Sequence, residues 1–571
     1  MSDNSPSQSP PPLNVVLYWH MHQPEYRDLR NGEYHQPWTY LHTIKDYVDM
    51  AAHLENHPDA RAVVNFAPVL LEQIDDYAHQ LEGFLHHGKA LRDPLLAALA
   101  EPVLKLDDEN RVHIIKACLR ANRHRLVERF EVFNTLVSMA EEALREVEKL
   151  AYYSEQFFAD LLVWYHLAWT AETVRKSDAR IDGLMARGRN FSIHDRHLLI
   201  EVFYELIGGV IGRYRELAER GIIELSMTPY AHPIVPLLID IKSATQAMPD
   251  IELPVASQYP DGLQRSRWHM QKGIQTFRRF FGFDPQGCWP SEGSISGQTI
   301  ELATEMGLRW LASGESVLRN SMQKSGLLDE HCIYQAYQYR QAETRCFFRD
   351  DGLSDLIGFK YSDWHGDDAV ANLLSHLEGI AVECADKPHA IVSIILDGEN
   401  AWEYYPENAY YFLSALYEKL SQHPRIRLTT YSEYLQDYSH TQVLSEIVAG
   451  SWVFGTFSTW IGAKDKNRAW DMLVEAKNTY DKVIHSGTLS EDELKQAELQ
   501  LATCESSDWF WWFGEYNSAE SVKAFDEQYR LHLSNLYQLL KVDPPEYLAR
   551  AFSFGSADST AKGTMLPGQY S

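Results

Sequence analysis

Cysteine is scarce and scattered. Six thiols, Cys118, Cys288, Cys332, Cys346, Cys384 and Cys504, are spread over 571 residues, and none form a C-x-x-C pair. That argues against a disulfide framework and against a thiolate metal centre. Positive charge is also short. The net charge is −28 and the sequence pI about 5.3, so the chain has no basic face to offer nucleic acid or an anionic membrane. No run of roughly eighteen apolar residues occurs, and no membrane span is expected. The opening "MSDNSPSQSPPPLN" lacks the basic-then-apolar order of a secretory signal. These absences together describe a cytoplasmic, soluble protein whose partner is neutral.

Aromatic residues are plentiful, at 12% of the chain with 15 Trp and 31 Tyr. Two readings fit: a large aromatic core, or a cleft lined with flat rings on which the C–H faces of sugars pack. Short apolar runs recur along the chain: "NVVLYW" (14–19), "AVVNFA" (62–67), "IIELS" (222–226), "GCWP" (287–290), "LRWLA" (308–312), "AIVSIIL" (390–396) and "RIRLTT" (425–430). Helical periodicity separates most of them. Strands buried on both faces and alternating with helices imply a parallel sheet, and seven candidates suggest a closed or nearly closed β/α barrel. The span from about 70 to 220 is too long for one crossover and reads as an inserted helical subdomain, with residues 113–150 largely continuous helix. A hairpin is expected over 332–361. The expected order is a disordered N-terminus (1–13), a barrel (14–440), a C-terminal helical region (441–552) and a flexible tail (553–571).

Function in such barrels sits where strands give way to loops. The first strand runs into His20, Met21, His22, Gln23 and Pro24, the third leads to His232, the fourth ends on Trp289 with Glu292 three residues on, and the sixth ends on Asp397. Glu292 and Asp397 can face each other across a pocket, as glycoside cleavage requires of two carboxyls. For two acids without other context, an ordinary structural ion-pair role is the favoured reading. His20 and His22 share a strand face. They suit a divalent metal or sugar hydroxyls, and the absence of an adjacent acid favours hydroxyls. Arg349 and Asp350 follow a strand and could reach the cleft. Trp289 and Trp402 offer flat surfaces beside the acids, while Glu399 and Glu403 read as braces.

Five segments in order resemble the motifs of glycoside hydrolase family 57: "HMHQP" (20–24), "GIIELSMTPYAHPIVPLL" (221–238), "GCWPSEGSIS" (287–296), "ILDGENAWEYYPEN" (395–408) and "WVFGTFSTWIGAKDKNRAWDML" (452–473). A sixth, "ESSDWFWWFGEY" (505–516), is similar to a segment of the amylopullulanase-like branch. The resemblance spans roughly 14–540. It implies an α/β fold, an incomplete (β/α)7 barrel with a helical region packed against it, and the active site between the two. It further implies a retaining enzyme on α-1,4 and possibly α-1,6 glucosidic bonds of an α-glucan or maltooligosaccharide, with neither cofactor nor catalytic metal. Glu292 matches the nucleophile position and Asp397 the general acid/base. His20, His22, Glu224, His232, Trp289, Arg349, Asp350, Trp402, Trp460, Asp508 and Trp509 are the expected substrate contacts. Three rivals share these residues: a 4-α-glucanotransferase, a metal-dependent sugar hydrolase or deacetylase, and a silent glycan-binding protein.

Overall fold

The structure is a computed structural model that describes residues 11–101, 104, 107–327, 333–556 and 565–566. The expected N-terminal disorder over residues 1–10 and Cys332 lie outside them, as does most of the expected tail.

The first strand, β1 (Leu13–Met21), is buried along its whole length. Its partners are β2 (Ala62–Phe66) on one side and β8 (Ile391–Asp397) on the other, both parallel. From β2 the order continues through β3 (Ile223–Met227), β4 (Gly287–Cys288), β5 (Trp310–Ser313) and β7 (Arg345–Phe348), again all parallel. The ring then returns to β8 by one bridge, Arg349 to Ser393, fastened by the Asp350 N–H donating to the Ser393 carbonyl at 2.8 Å. Seven parallel strands therefore circle the axis, and the seam between β7 and β8 is the weakly paired one.

Six of the seven ring strands are the apolar runs seen in the sequence. The seventh is "RCFF", which the sequence assigned to a hairpin. It does form that hairpin, antiparallel with β6 (Tyr337–Tyr339), and it also pairs with β5. The run "RIRLTT" contributes β9 (Ile426–Leu428), which lies outside the ring. It pairs with Leu13–Val15, the stretch of β1 edge that β2 leaves open because β2 begins opposite Tyr18. A last short strand, β10 (Gln442–Leu444), adds to β6.

Much of the aromatic excess fills the barrel. Tyr18, Trp289, Trp310, Phe347, Tyr431 and Tyr434 form one buried cluster with Val16, Val63 and Ile395. Phe347 stacks on Tyr431 at 4.2 Å, and Trp310 lies 4.6 Å from Tyr431. The barrel is thus a packed solid, and space for a ligand exists only at its rim.

The inserted region is a set of helices running from Pro68–His87 to Ile193–Glu219. Local sequence sets their starts. Asp93 accepts hydrogen bonds from the Leu95 and Leu96 N–H groups with Pro94 in the first turn, and Ser192 with Asp195 makes a capping box. The expected continuous helix over 113–150 is interrupted. Asn122 caps a separate turn at Arg123–Val127, which splits Asp108–Cys118 from Glu131–Arg145. Asn competes for backbone donors in this way, and periodicity alone does not register it. The C-terminal region consists of Lys464–Ser486, Glu491–Cys504, Ser507–Trp512 and Ala519–Leu539, with Ser490 and Glu493 in the expected capping box. The first residues of the expected flexible tail are held in place: Ser553 is buried and donates to Asp465, and Ser556 bridges to Ser518. Among the described residues no helix is long and apolar enough to cross a membrane.

The β4–β5 contact leaves no room for a side chain. A Cβ on Gly287 would fall 1.8 Å from the Trp310 ring, which is itself wedged between Tyr18 and Tyr431. Gly287→Ala should lower the free energy of unfolding by about 3 kcal/mol, read from the denaturant midpoint. An unchanged midpoint would contradict this packing.

Candidate active site

The rim residues are brought together by strand register. His20 pairs in register with Asn65 of β2 and with Asp397 of β8, so three polar side chains reach the same level of the ring. Gly398 must follow Asp397, because a Cβ there would sit 2.0 Å from the Met21 sulfur. Its N–H donates to the His20 carbonyl at 2.7 Å and holds the end of β8 against β1. Glu292 lies just past β4 with a left-handed backbone, φ 59° and ψ 25°. For a residue with a side chain that geometry costs of the order of 1–3 kcal/mol and persists only where the surroundings impose it. Here Trp452 imposes it twice, donating its backbone N–H to the Glu292 carbonyl at 3.0 Å and its indole N–H to Glu292 Oε2 at 3.1 Å.

Three imidazoles form a row beside the acids. His22 and His232 stack at 3.8 Å, and His20 lies 5.4 Å from His232, all nearly parallel. The hydrogen bonds fix their protons. His20 Nδ1 faces Asn65 Oδ1 at 2.7 Å, and Thr228 donates to the same oxygen while Asn65 Nδ2 donates to Ser226. His20 therefore carries its proton on Nδ1 and offers a bare Nε2. His232 donates to it from Nε2 at 3.3 Å and accepts from the Ser507 hydroxyl at Nδ1, 2.8 Å away. Burial pushes the His20 pKa down to about 3 and that of His232 well below its usual value, with the neighbouring imidazoles adding to both shifts. Both rings are neutral. His22 points its Nε2 at Asp508 Oδ1, 2.8 Å away, and its buried Nδ1 has no partner.

One cleft of about 280 Å³ collects these groups. His20, His22, His232, Glu292, Asp397, Arg349 and Asp508, all expected from sequence, line it. Glu399 and Glu403 line it too. Burial raises the Glu292 carboxyl well above the usual carboxylate range, with the charges of Asp397 and Asp508 adding to it. Burial likewise raises Asp397, against the amide N–H that Asn400 donates at 2.9 Å. Arg349 relieves little of this. Its guanidinium is taken by Asp351, Asp355 and the Ile395 carbonyl at 2.6, 2.7 and 2.8 Å.

Six expected contacts stand elsewhere. Trp402 is fully buried, donates to the Gly398 carbonyl and packs on Trp19, so it braces the Asp397 loop from behind and presents no face to the cleft. Trp289 belongs to the barrel's aromatic plug. Glu224 lies near the start of β3, where it accepts from Trp310 and Ser432. Asp350 caps the helix Asp351–Asp355. Trp460 and Trp509 are fully buried, and Trp509 donates to the Thr503 carbonyl.

The rings that do line the cleft include Trp38, Trp452, Trp511, Trp512 and Phe525, with Tyr26 and Phe359 beside them. A signal for two of them was present. In the helix Ser507–Trp512, Asp508, Trp511 and Trp512 occupy positions i, i+3 and i+4, so they share one face, whereas Trp509 points to the other.

His22, His232 and Asp508 also bring three possible metal donors within 4.8 Å of one another. The ring planes decide against a metal. Imidazole lone pairs lie in the ring plane, and two rings stacked face to face at 3.8 Å cannot aim theirs at a common ion.

A family model described as Glycosyl hydrolase family 57 matches residues 16–448. An α-amylase from Thermotoga maritima has a similar fold, with TM-score 0.57, 12% identity and 93% of each chain covered. So does a branching enzyme from Thermococcus kodakaraensis, with TM-score 0.56, 15% identity, and 92% of this chain and 90% of that one covered. A 4-α-glucanotransferase from Thermococcus litoralis matches at TM-score 0.50 and 13% identity, over 92% of this chain and 60% of its own.

Proposed function

Because the chain belongs to glycosyl hydrolase family 57, we propose that it cleaves α-glucosidic bonds of α-glucans by double displacement with retention. The observation that carries this reading is the pair Glu292 and Asp397, set on two strand ends of one buried cleft and both shifted upward.

Glu292 attacks the anomeric carbon and Asp397 protonates the leaving oxygen. With the cleft empty, burial pushes both carboxyls toward their protonated forms. A bound glucan sets them apart. The glycosidic oxygen is an acceptor only and favours a protonated Asp397 beside it, while the electron-poor anomeric carbon favours an ionised Glu292. The Trp452 indole N–H stabilises that ionised form. Water or a sugar hydroxyl then resolves the glycosyl-enzyme, with Asp397 as base. His22 Nδ1 and Glu399 Oε2 are buried without partners and suit sugar hydroxyls. Trp38, Trp511 and Trp512 supply flat faces for the rings.

Glu292→Gln should lower kcat on maltoheptaose by about four orders of magnitude with an unchanged circular dichroism spectrum; near-normal turnover would remove the mechanism. On maltotriose, glucose and maltose report hydrolysis, and longer products report transfer through the same intermediate.

Trp452→Phe removes the indole donor and makes ionisation of Glu292 harder. The acidic limb of the kcat/KM profile should move to higher pH, and kcat/KM on that limb should fall roughly threefold to tenfold. A limb left in place or displaced to lower pH would contradict the role given to Trp452.

A further inference from the structure

One wall of the cleft comes from the far end of the chain. Met565 and Leu566 line the same cavity as Glu292 and Asp397. Both are half-buried and pack against the main apolar core. Their neighbours along this wall are Trp511, Trp512, Ser521 and Phe525, with Trp512 stacked on Phe525 at 4.7 Å.

The chain is fastened close by. The Ser556 N–H donates to the Asn517 carbonyl at 3.0 Å, and the Ala519 N–H donates to the Ser556 carbonyl at 3.3 Å. A Cβ on Gly555 would fall 2.6 Å from the Ser518 backbone, so the two segments lie in direct contact. This anchor sits at the start of the helix Ala519–Leu539, which carries Ser521 and Phe525 into the cleft wall. Residues 557–564 separate the anchor from Met565.

The chemistry of the two side chains is unlike that of the rest of the lining. Trp38, Trp511 and Trp512 offer ring faces, and the carboxyls and imidazoles offer hydrogen bonds, both of which a glucose unit uses. A thioether and an isobutyl group offer neither. They take up volume and displace water.

We infer that Met565 and Leu566 are a specificity element, filling one part of the cleft and limiting the length of glucan that binds across the catalytic pair. The length limit rests on the glucan reading above. The placement of the two side chains does not.

Two variants test it: a chain ending at Ser556, and the full chain carrying Met565→Ser with Leu566→Ser, which keeps its length if the shorter chain folds poorly. The readout is the ratio of kcat/KM for maltoheptaose to kcat/KM for maltotriose. In both variants it should rise about fivefold to tenfold, as expected when added glucose units gain contact surface. An unchanged or lower ratio in the double variant overturns the proposal. A synthetic peptide of residues 557–571, titrated into the shortened chain and followed by tryptophan fluorescence, should bind saturably and be displaced by maltoheptaose. The same peptide should not bind the full chain. No binding at millimolar peptide overturns the placement. Saturable binding with no maltooligosaccharide bound or turned over by either chain overturns the length limit through failure of the glucan reading, and leaves the placement standing.

Discussion

Confining several carboxyl groups in one water-poor hollow is the constraint on which the site depends. Glu292, Asp397, Glu399, Glu403 and Asp508 all line the cleft, and the guanidinium of Arg349, which lines it too, is already committed to Asp351 and Asp355. They cannot all carry charge there, because the dielectric is low and like charges repel. A site that must hold a proton near neutral pH, yet release it to a leaving group, is built by this kind of crowding.

The fold maintains the crowding through rigid parts. Asp397 ends a strand paired along its whole length with β1. Glu292 sits in a strained turn that Trp452 clamps. Behind them the barrel is plugged with rings, so strand ends cannot drift inward. The neutral imidazoles of His20 and His232 add hydrogen-bonding edges beside the acids without adding positive charge. A charged His232 next to Glu292 would hold that carboxylate in an ion pair and weaken it as a nucleophile.

Much of the ring was legible in the sequence because parallel, fully buried strands leave uninterrupted apolar runs. The exception, "RCFF", is short and serves two partners, and only the hairpin was visible locally. His20, His22, His232, Glu292, Asp397 and Asp508 were legible because polar residues at strand ends or in ordered motifs stand out. The tryptophans were not separable in this way. Trp402 and Trp289 sit beside the acids in sequence, but Trp289, just past β4, turned into the barrel's aromatic plug, and Trp402, in a helical turn beyond Asp397, packed behind that loop on Trp19. Trp511 and Trp512 follow from helical phase once the short helix Ser507–Trp512 is recognised. Contributions from remote parts of the chain, such as Trp38 and Met565, depend on tertiary packing that no local pattern encodes.

The most direct measurement of the central claim is to trap the covalent intermediate. A 5-fluoro glucosyl fluoride of α configuration slows both displacement steps but the second more, so the glycosyl-enzyme accumulates. Peptide mass spectrometry should then find one sugar on the peptide containing Glu292, with none when Glu292 is Gln. A label on a different carboxyl, or turnover with no adduct and inversion at the anomeric carbon, would contradict the account.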